Sequence, residues 1–269
     1  MLKKRIIFTL LYDNGSFMLS RNFRLQEVGD LKWLKKYYNF SFISFSIDEL
    51  IILDVTRGER DEAKFLEHVK SLTEECFVPI AAGGGIRGLE QARNLLHHGA
   101  DKVVINTLLA EDHNVIREIA EEFGQQSIVA SVDVKLINNE FTVWTDNGSK
   151  KQNKTIKEWL LNIYQLPIGE MYLNSMDNDG TGQGYKTELL DLLSEECHLP
   201  LILAGGAGKY SHFAEILSDK RVDAVATAHL FNFIGDGLEK SRAKLINDVS
   251  YLAMWDASEK DILNKYFLQ

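Results

Sequence analysis

The sequence predicts an α/β fold, a (β/α)8 barrel assembled from two duplicated (β/α)4 halves, and three observations point there. The chain repeats itself: TEECFVPIAAGGGI at 73–86 matches SEECHLPLILAGGA at 194–207, placing Cys76 against Cys197 and Pro79 against Pro200 at an offset of 121. At the glycines the offset is read as 122, with one extra residue ahead of them in the second copy. Apolar runs of strand length alternate with amphipathic helical patterns, and four such runs fall in each half. A doubly wound open sheet fits the same alternation, but duplicating it would leave edges that closure removes.

Taken in order, the first strand is expected at about 5–12, where Ile6 to Tyr12 form an apolar run. The basic start Met1-Leu2-Lys3-Lys4-Arg5 resembles a secretory leader only superficially, because Asp13 closes the run and no small-residue cleavage site follows. A second strand falls at 41–46 or 49–54, a third at 78–82 and a fourth at 102–106. Between them, Asp61 to Glu74 sets Phe65, Leu66, Val69 and Leu72 on one helical face, and Leu89 to His98 does so with Leu89, Ala92, Leu95 and Leu96. The second half offers strands at 127–133, 170–175, 200–204 and 223–227. Three further matches bind the halves: RIIFTLL at 5–11 with SIVASVD at 127–133, IDELIILD at 47–54 with IGEMYLNS at 168–175, and ADKVVINTLL at 100–109 with VDAVATAHLF at 222–231. Their continuous aliphatic character suits strands covered on both faces. The polar stretch 135–154, alternating over Glu140 to Thr145, reads as a hairpin-like loop after the fifth strand. The barrel is expected over 1–237 as one domain, with half-repeats at about 1–122 and 123–237. Residues 238–269 read as a last helix and tail, whose Tyr251, Leu252, Trp255, Ile262, Tyr266 and Phe267 can pack on the barrel or a partner.

Composition narrows the function. With 269 residues, 45% hydrophobic and 26% charged, the chain can bury a real core. Thirty Lys and Arg against 39 Asp and Glu give a net charge of −9, which argues against a general grip on nucleic acid or an anionic membrane. No run of about eighteen apolar residues is present, so no membrane span is expected. Two cysteines and three prolines fit a reducing cytoplasm better than a disulfide scaffold.

In such a barrel the chemistry belongs to the C-terminal ends of the strands. Gly83-Gly84-Gly85 and Gly205-Gly206-Ala207-Gly208 each follow a strand and precede a helix, where bare N–H groups can hold a phosphate or simply make a tight turn. Because the repeat relates them, they would face each other across the mouth and suit a ligand phosphorylated at both ends. Asn106-Thr107 and Asp179-Gly180-Thr181 can add donors, although Asp177 to Gly180 also reads as a plain turn. Asp133 ends the fifth strand as a candidate general acid or base, or else as a structural acceptor. Its repeat mate is Leu11, so no carboxylate pair runs from these two positions. The seven histidines lack ligand spacing and no nucleophile set stands out, so neither metal nor cofactor is expected.

Over roughly 1–237 these residues resemble the cyclase subunit of imidazole glycerol phosphate synthase. The likeness rests on KRII at 4–7, DELIILDVT at 48–56, PIAAGGGIR at 79–87, GADKVVIN at 99–106, GEMYLNSMDNDGTGQGY at 169–185 and LAGGAG at 203–208. It implies a barrel that binds a bisphosphorylated small molecule and takes ammonia from a glutaminase subunit docked on its N-terminal face. Two strand-end aspartates then serve as acid and base while an imidazole ring closes. By that resemblance the strand-five aspartate is Asp133. Gly84, Gly85, Asn106 and Thr107 form one phosphate site, and Asp179, Gly180, Gly205 and Gly206 the other. Arg5, Glu49, Lys102 and Glu170 fill all four positions of the family's ammonia gate, and Glu49 and Glu170 are also repeat mates. The alternative for these four is a charged plug of the barrel floor.

Three positions depart from the family pattern: Leu11 stands at the strand-one aspartate, Leu19 at the loop-one lysine and Ala204 at the serine before the second glycine loop. An intact entrance beside an altered mouth resembles the cyclase-like subunits of bacterial surface-polysaccharide synthesis, which supply ammonia to an ATP-dependent amidotransferase that makes acetamidino sugars. Thr9-Leu10-Leu11 and the Asn14-Gly15 turn fit that branch. The resemblance thus implies an ammonia-receiving barrel of an amidination pathway. The alternatives are a working histidine-pathway cyclase and a phosphate-binding scaffold without chemistry.

Overall fold

Runs such as Ile6 to Phe8 and Leu50 to Ile52 are apolar at every position because their sheet is covered on both faces. The computed structural model describes residues 3–38, 40–194, 197–228 and 236–254. Its strands are β1 (Arg5–Asp13), β2 (Ser16–Arg21), β3 (Arg24–Asp30), β4 (Glu49–Asp54), β5 (Ile80–Gly83), β6 (Lys102–Ile105), β7 (Ile128–Ile137), β8 (Glu140–Thr145), β9 (Lys150–Thr155), β10 (Glu170–Ser175), β11 (Leu201–Ala204) and β12 (Ala224–Thr227). Eight of them pair in parallel in the order β1, β4, β5, β6, β7, β10, β11, β12, and β12 returns to β1, so the sheet closes into a (β/α)8 barrel.

Helices cover the outside. The first-half helices are α1 (Leu31–Tyr37), α2 (Phe40–Ile43), α3 (Glu62–Thr73), α4 (Leu89–His97), α5 (Leu108–Glu111) and α6 (His113–Phe123), followed by α7 (Ile156–Tyr164), α8 (Tyr210–Leu217) and α9 (Gly237–Asp248). Asp61 caps α3 by accepting from the Lys64 N–H, and Thr155 with Glu158 forms a capping box on α7. Of the two places weighed for the second strand, 49–54 is the strand, and α2 overlaps the other. After β10 the described residues hold a short 3-10 segment, Thr187–Leu192, in place of a full crossover helix.

The ladder registers date the extra residue of the repeat. Glu49 and Glu170 occupy the same place beside Ile7 and Val129, and Ile80 and Leu201 the same place beside Leu50 and Met171. The offset of 121 therefore runs through both glycine loops, correcting the shift to 122 read there. It changes between β11 and β12, since Ala81 pairs with Lys102 and Ile202 with Ala224.

Two antiparallel additions rise from the C-terminal rim. Stretch 135–154 is more than a loop: β7 runs on to Ile137 and β8 and β9 pair behind it. The other, β2 with β3, is absent from the sequence-based assignment. Its Asn14-Gly15 link has both φ angles positive, 42° and 106°, the two-residue turn that matches strand twist.

At the N-terminal rim the chain beyond β12 folds back. Leu238, Leu245, Val249 and Leu252 are buried, and Lys4 exchanges backbone bonds of 2.8 Å with Tyr251 and Ala253. Tyr251 itself is exposed, and Trp255, Ile262, Tyr266 and Phe267 lie outside the described residues. Arg242 of α9 makes a bidentate pair with Asp48 at 2.9 and 2.7 Å, both side chains being at most 9% exposed. Removing one partner strands the other charge, so Arg242→Ala is expected to cost about 3–5 kcal/mol in urea unfolding, against under 1 kcal/mol for an exposed pair.

Candidate active site

Strand residues alternate between barrel interior and helix layer, and this parity decides what meets inside. Arg5, Ile7, Thr9 and Leu11 point one way along β1. Glu49, Ile51 and Leu53 match them on β4, Val129, Ser131 and Asp133 on β7, and Glu170, Tyr172 and Asn174 on β10. From bottom to top the bore is charged, then apolar, then polar.

At the bottom, Arg5, Glu49, Lys102 and Glu170 are each the first residue of their strands and form one closed ring. Arg5 donates to Glu49 at 3.1 Å and to Glu170, while Lys102 donates to both oxygens of Glu49 at 3.0 and 2.9 Å and to Glu170 at 3.0 Å. Burial pushes Glu49 above the usual carboxylate range. Burial works against the Lys102 charge too, but its two carboxylate partners more than offset it and hold the ammonium pKa high. Glu170 ends below its ordinary value because the Arg5 hydrogen bond and charge outweigh its burial. Above the ring, Ile7, Ile51, Ala81, Val104, Val129, Ile202 and Ala224 form an apolar waist.

The top is a cavity of about 130 Å3 lined by Leu11, Asp133, Asn174 and both glycine loops. Asp133 is buried and accepts from Asn174 Nδ2 at 3.0 Å and Asn106 Nδ2 at 3.1 Å. Burial pushes its pKa up to about 7; the Asn174 bond pulls the other way and the Asp179 charge adds to the rise. A carboxyl poised near neutrality can both take and return a proton. Leu11 pairs with Leu53 as Asp133 pairs with Asn174, so the two stand at equivalent heights on strands one and five.

The glycine loops are a matched pair. Gly84 and Gly85 have φ of 108° and 74°, Gly205 and Gly206 87° and 109°. A Cβ at Gly84 would sit 2.1 Å from the Asp54 carbonyl, and one at Gly206 would sit 1.9 Å from that of Gly184. Within the described residues, the N–H groups of Gly84, Gly85 and Ile86, like those of Gly205, Gly206 and Ala207, donate to no backbone acceptor. Two open nests of N–H groups thus face the cavity, a geometry that attracts anions.

Among the other expected anion ligands, Asn106 and Asp179 are engaged within the protein, whereas Thr107 keeps its O–H to give, 3.5 Å from Asn106 Oδ1. The Asn106 amide is spent on Asp133 and the Ser131 carbonyl, and Thr107 Oγ1 accepts from the Asp146 N–H at 3.0 Å. Gly180 lines the cavity, but the neighbouring Asp179 carboxylate accepts from Ser20 Oγ and from the Phe23 N–H at 3.1 Å. Asp179 thereby pins the tip of the β2–β3 hairpin across the mouth, aided by the Asn22 N–H on the Asp179 carbonyl at 2.9 Å. A negative side chain would repel a phosphate, so any donation from this turn comes from its backbone. Leu19 is a half-buried residue of that hairpin packed on the core, and Ala204 is buried at the end of β11.

A family model described as histidine biosynthesis protein matches residues 35–235. The chain belongs to the histidine biosynthesis protein family. Among its relatives, "Putative imidazole glycerol phosphate synthase subunit hisF2" of Parasynechococcus marenigrum is 48% identical over 257 residues, covering 95% of each chain. Imidazole glycerol phosphate synthase subunits HisF of Chlorobium chlorochromatii and Chlorobaculum parvum are 37% and 38% identical, over 87% of this chain and 92% of theirs. Sequence reasoning missed three residues of the mouth: Asn174, Arg57 and Arg60. Asn174 was legible, since its repeat mate is Leu53 and its parity with Glu170 turns it inward. The arginines stand in TRGER at 56–60, between the second strand and the first helical pattern, where no motif marks them.

Proposed function

We propose that this barrel is a cyclase-type subunit that receives ammonia from a glutaminase docked on its N-terminal face and carries it toward a phosphorylated ligand at the C-terminal mouth. The observation that carries the reading is the pairing of a complete ion ring at one end of an apolar bore with Asp133 and two anion nests at the other. Ammonia, small and neutral, suits such a waist, and its protonated form is excluded by the cost of desolvating a charge. The ring is closed by its own hydrogen bonds, so passage requires one partner to swing aside. The finer assignment, ammonia supply to an ATP-dependent amidotransferase in amidino-sugar synthesis for surface polysaccharide, rests on Leu11. Leucine offers no proton to a two-acid ring closure.

A second reading, the histidine-pathway cyclase, is favoured by the names of the relatives and by the intact Asp133 site. Mixing this chain with its glutaminase is expected to raise glutamine hydrolysis about tenfold or more, an ordinary size for coupling between sites. A glutaminase indifferent to the barrel would remove the ammonia reading. Product analysis of the coupled pair, aminoimidazole ribotide against free ammonia passed to an amidotransferase, separates the two branches.

A further inference from the structure

The two anion nests differ in charge. The Lys and Arg side chains lining the mouth among the described residues are Arg57, Arg60 and Arg87, all on first-half loops. Arg57 is committed to structure: its Nη2 donates to the Phe23 carbonyl at 2.9 Å and faces that of Asn147 at 3.4 Å, clamping the hairpin tip. Arg87 is paired with Glu111 at 3.0 Å and donates to the Ile86 carbonyl.

Arg60 is different. Its side chain is only 21% exposed, yet within the described residues it donates no hydrogen bond, and its buried Nε has only Asp54 nearby, at 3.4 Å. A guanidinium carries five N–H donors; of these Nε is the buried one without a hydrogen bond, and the Nη donors, which no described residue receives, open to the cavity and are available to a ligand. Its placement says which: a Cβ added at Gly85 would lie 3.0 Å from Arg60 Cδ and Nε and 3.1 Å from Cζ, so the guanidinium lies directly on the bare backbone of the first nest. Asp54, held by the Thr56 N–H at 2.9 Å, fixes one edge of the fork and leaves the Nη side for a ligand. In the second half, the position 121 residues on is Thr181, whose hydroxyl is spent on the Asn178 carbonyl at 2.7 Å.

We infer that Arg60 is a ligand-binding residue that converts the first-half nest into a charged seat for a phosphate dianion, while the second-half nest binds its anion through backbone N–H groups alone. The inference rests on the phosphorylated ligand proposed above and adds an orientation: the more highly charged end of the ligand lies over Gly84 and Gly85. Planar, two-pronged donation to phosphate oxygens is what a guanidinium provides and a backbone nest lacks.

Amide NMR of the full chain titrated with inorganic phosphate reads the two nests separately, through Gly84, Gly85 and Ile86 or through Gly205, Gly206 and Ala207. In the wild type the first set is expected to saturate at lower phosphate than the second. Arg60→Ala should raise the first-set Kd about tenfold or more and leave the second set unmoved, which also reports an intact fold. Arg60→Lys should fall between, and Arg60→Gln serves if the alanine variant does not fold. An unchanged first-set Kd in a folded variant overturns the role of Arg60 and leaves the phosphate reading standing. No response at either nest in the wild type overturns both.

Discussion

Leu11→Asp is expected to raise ammonia-driven ring closure by about 10²–10⁴-fold over the wild-type chain, the usual worth of a positioned acid or base. The measurement is formation of the aminoimidazole product from the formimino ribotide with an ammonium salt as nitrogen source, which bypasses any glutaminase. Three features make the gain specific to this position. Ladder registers place Leu11 and Asp133 at equivalent heights of the two half-barrels, both turned inward and both lining the mouth. Leu11 is 9% exposed on the cavity wall against 8% for Asp133, so a carboxylate there would share the surroundings that raise Asp133. Asp133, already raised to about 7, supplies a group protonated half the time at neutral pH, and a second carboxylate in the same cavity would split the pair into one acid and one base. A folded Leu11→Asp with no gain would show that the mouth has diverged beyond this one residue, which favours the amidination branch over the histidine-pathway cyclase.

Much of this geometry was legible because duplication and parity are written in the chain. Offsets of 121 and 122 place Glu49 beside Glu170 and Leu11 beside Asp133, and period-two alternation then sends all four inward. What stayed hidden depends on long-range docking. Nothing local to Ser16–Asp30 says that the hairpin tip reaches Asp179, because the Phe23 N–H finds that carboxylate 156 residues away in sequence. The Asn14-Gly15 turn between alternating runs was the available sign of the hairpin itself. Arg60 was equally silent: an arginine in a polar loop is ordinarily solvated, and only the folded Gly85 backbone beneath it makes its idle donors meaningful. The position of the extra residue after the second glycine loop was misread because a run of near-identical glycines aligns equally well one step either way. Strand register removes that ambiguity, since a slip of one residue turns every side chain to the other face.

Asp133→Asn is expected to lower any ammonia-dependent turnover by about 10²–10⁴-fold and, against intuition for a buried hydrogen-bonded residue, to stabilise the chain in alkaline solution. The sign follows from the raised pKa. Folding lifts Asp133 from the ordinary value near 4 to about 7, so across that interval the native state binds the proton that the unfolded chain has released. The stability this proton contributes is complete below about pH 4 and is lost as pH climbs through 7. Above that, the native barrel carries a buried carboxylate whose penalty, at 1.36 kcal/mol for each pH unit of the shift, amounts to about 4 kcal/mol. The variant has no such titration. Asn106, held by the Ser131 carbonyl, keeps donating to the new side-chain oxygen, and Asn174 can turn its amide to accept from the new NH2, so the hydrogen bonds are re-formed at little cost. Urea unfolding at pH 5.5 and pH 8.5 should therefore show the wild type losing more stability than Asp133→Asn between the two, with the difference approaching a few kcal/mol. Parallel pH dependences in the two proteins would mean that Asp133 titrates near its ordinary value, and with it would go the case for this residue as the proton carrier of the mouth. On the function proposed above, a group that costs stability when charged has its use in proton transfer at the mouth, since packing alone is better served by asparagine.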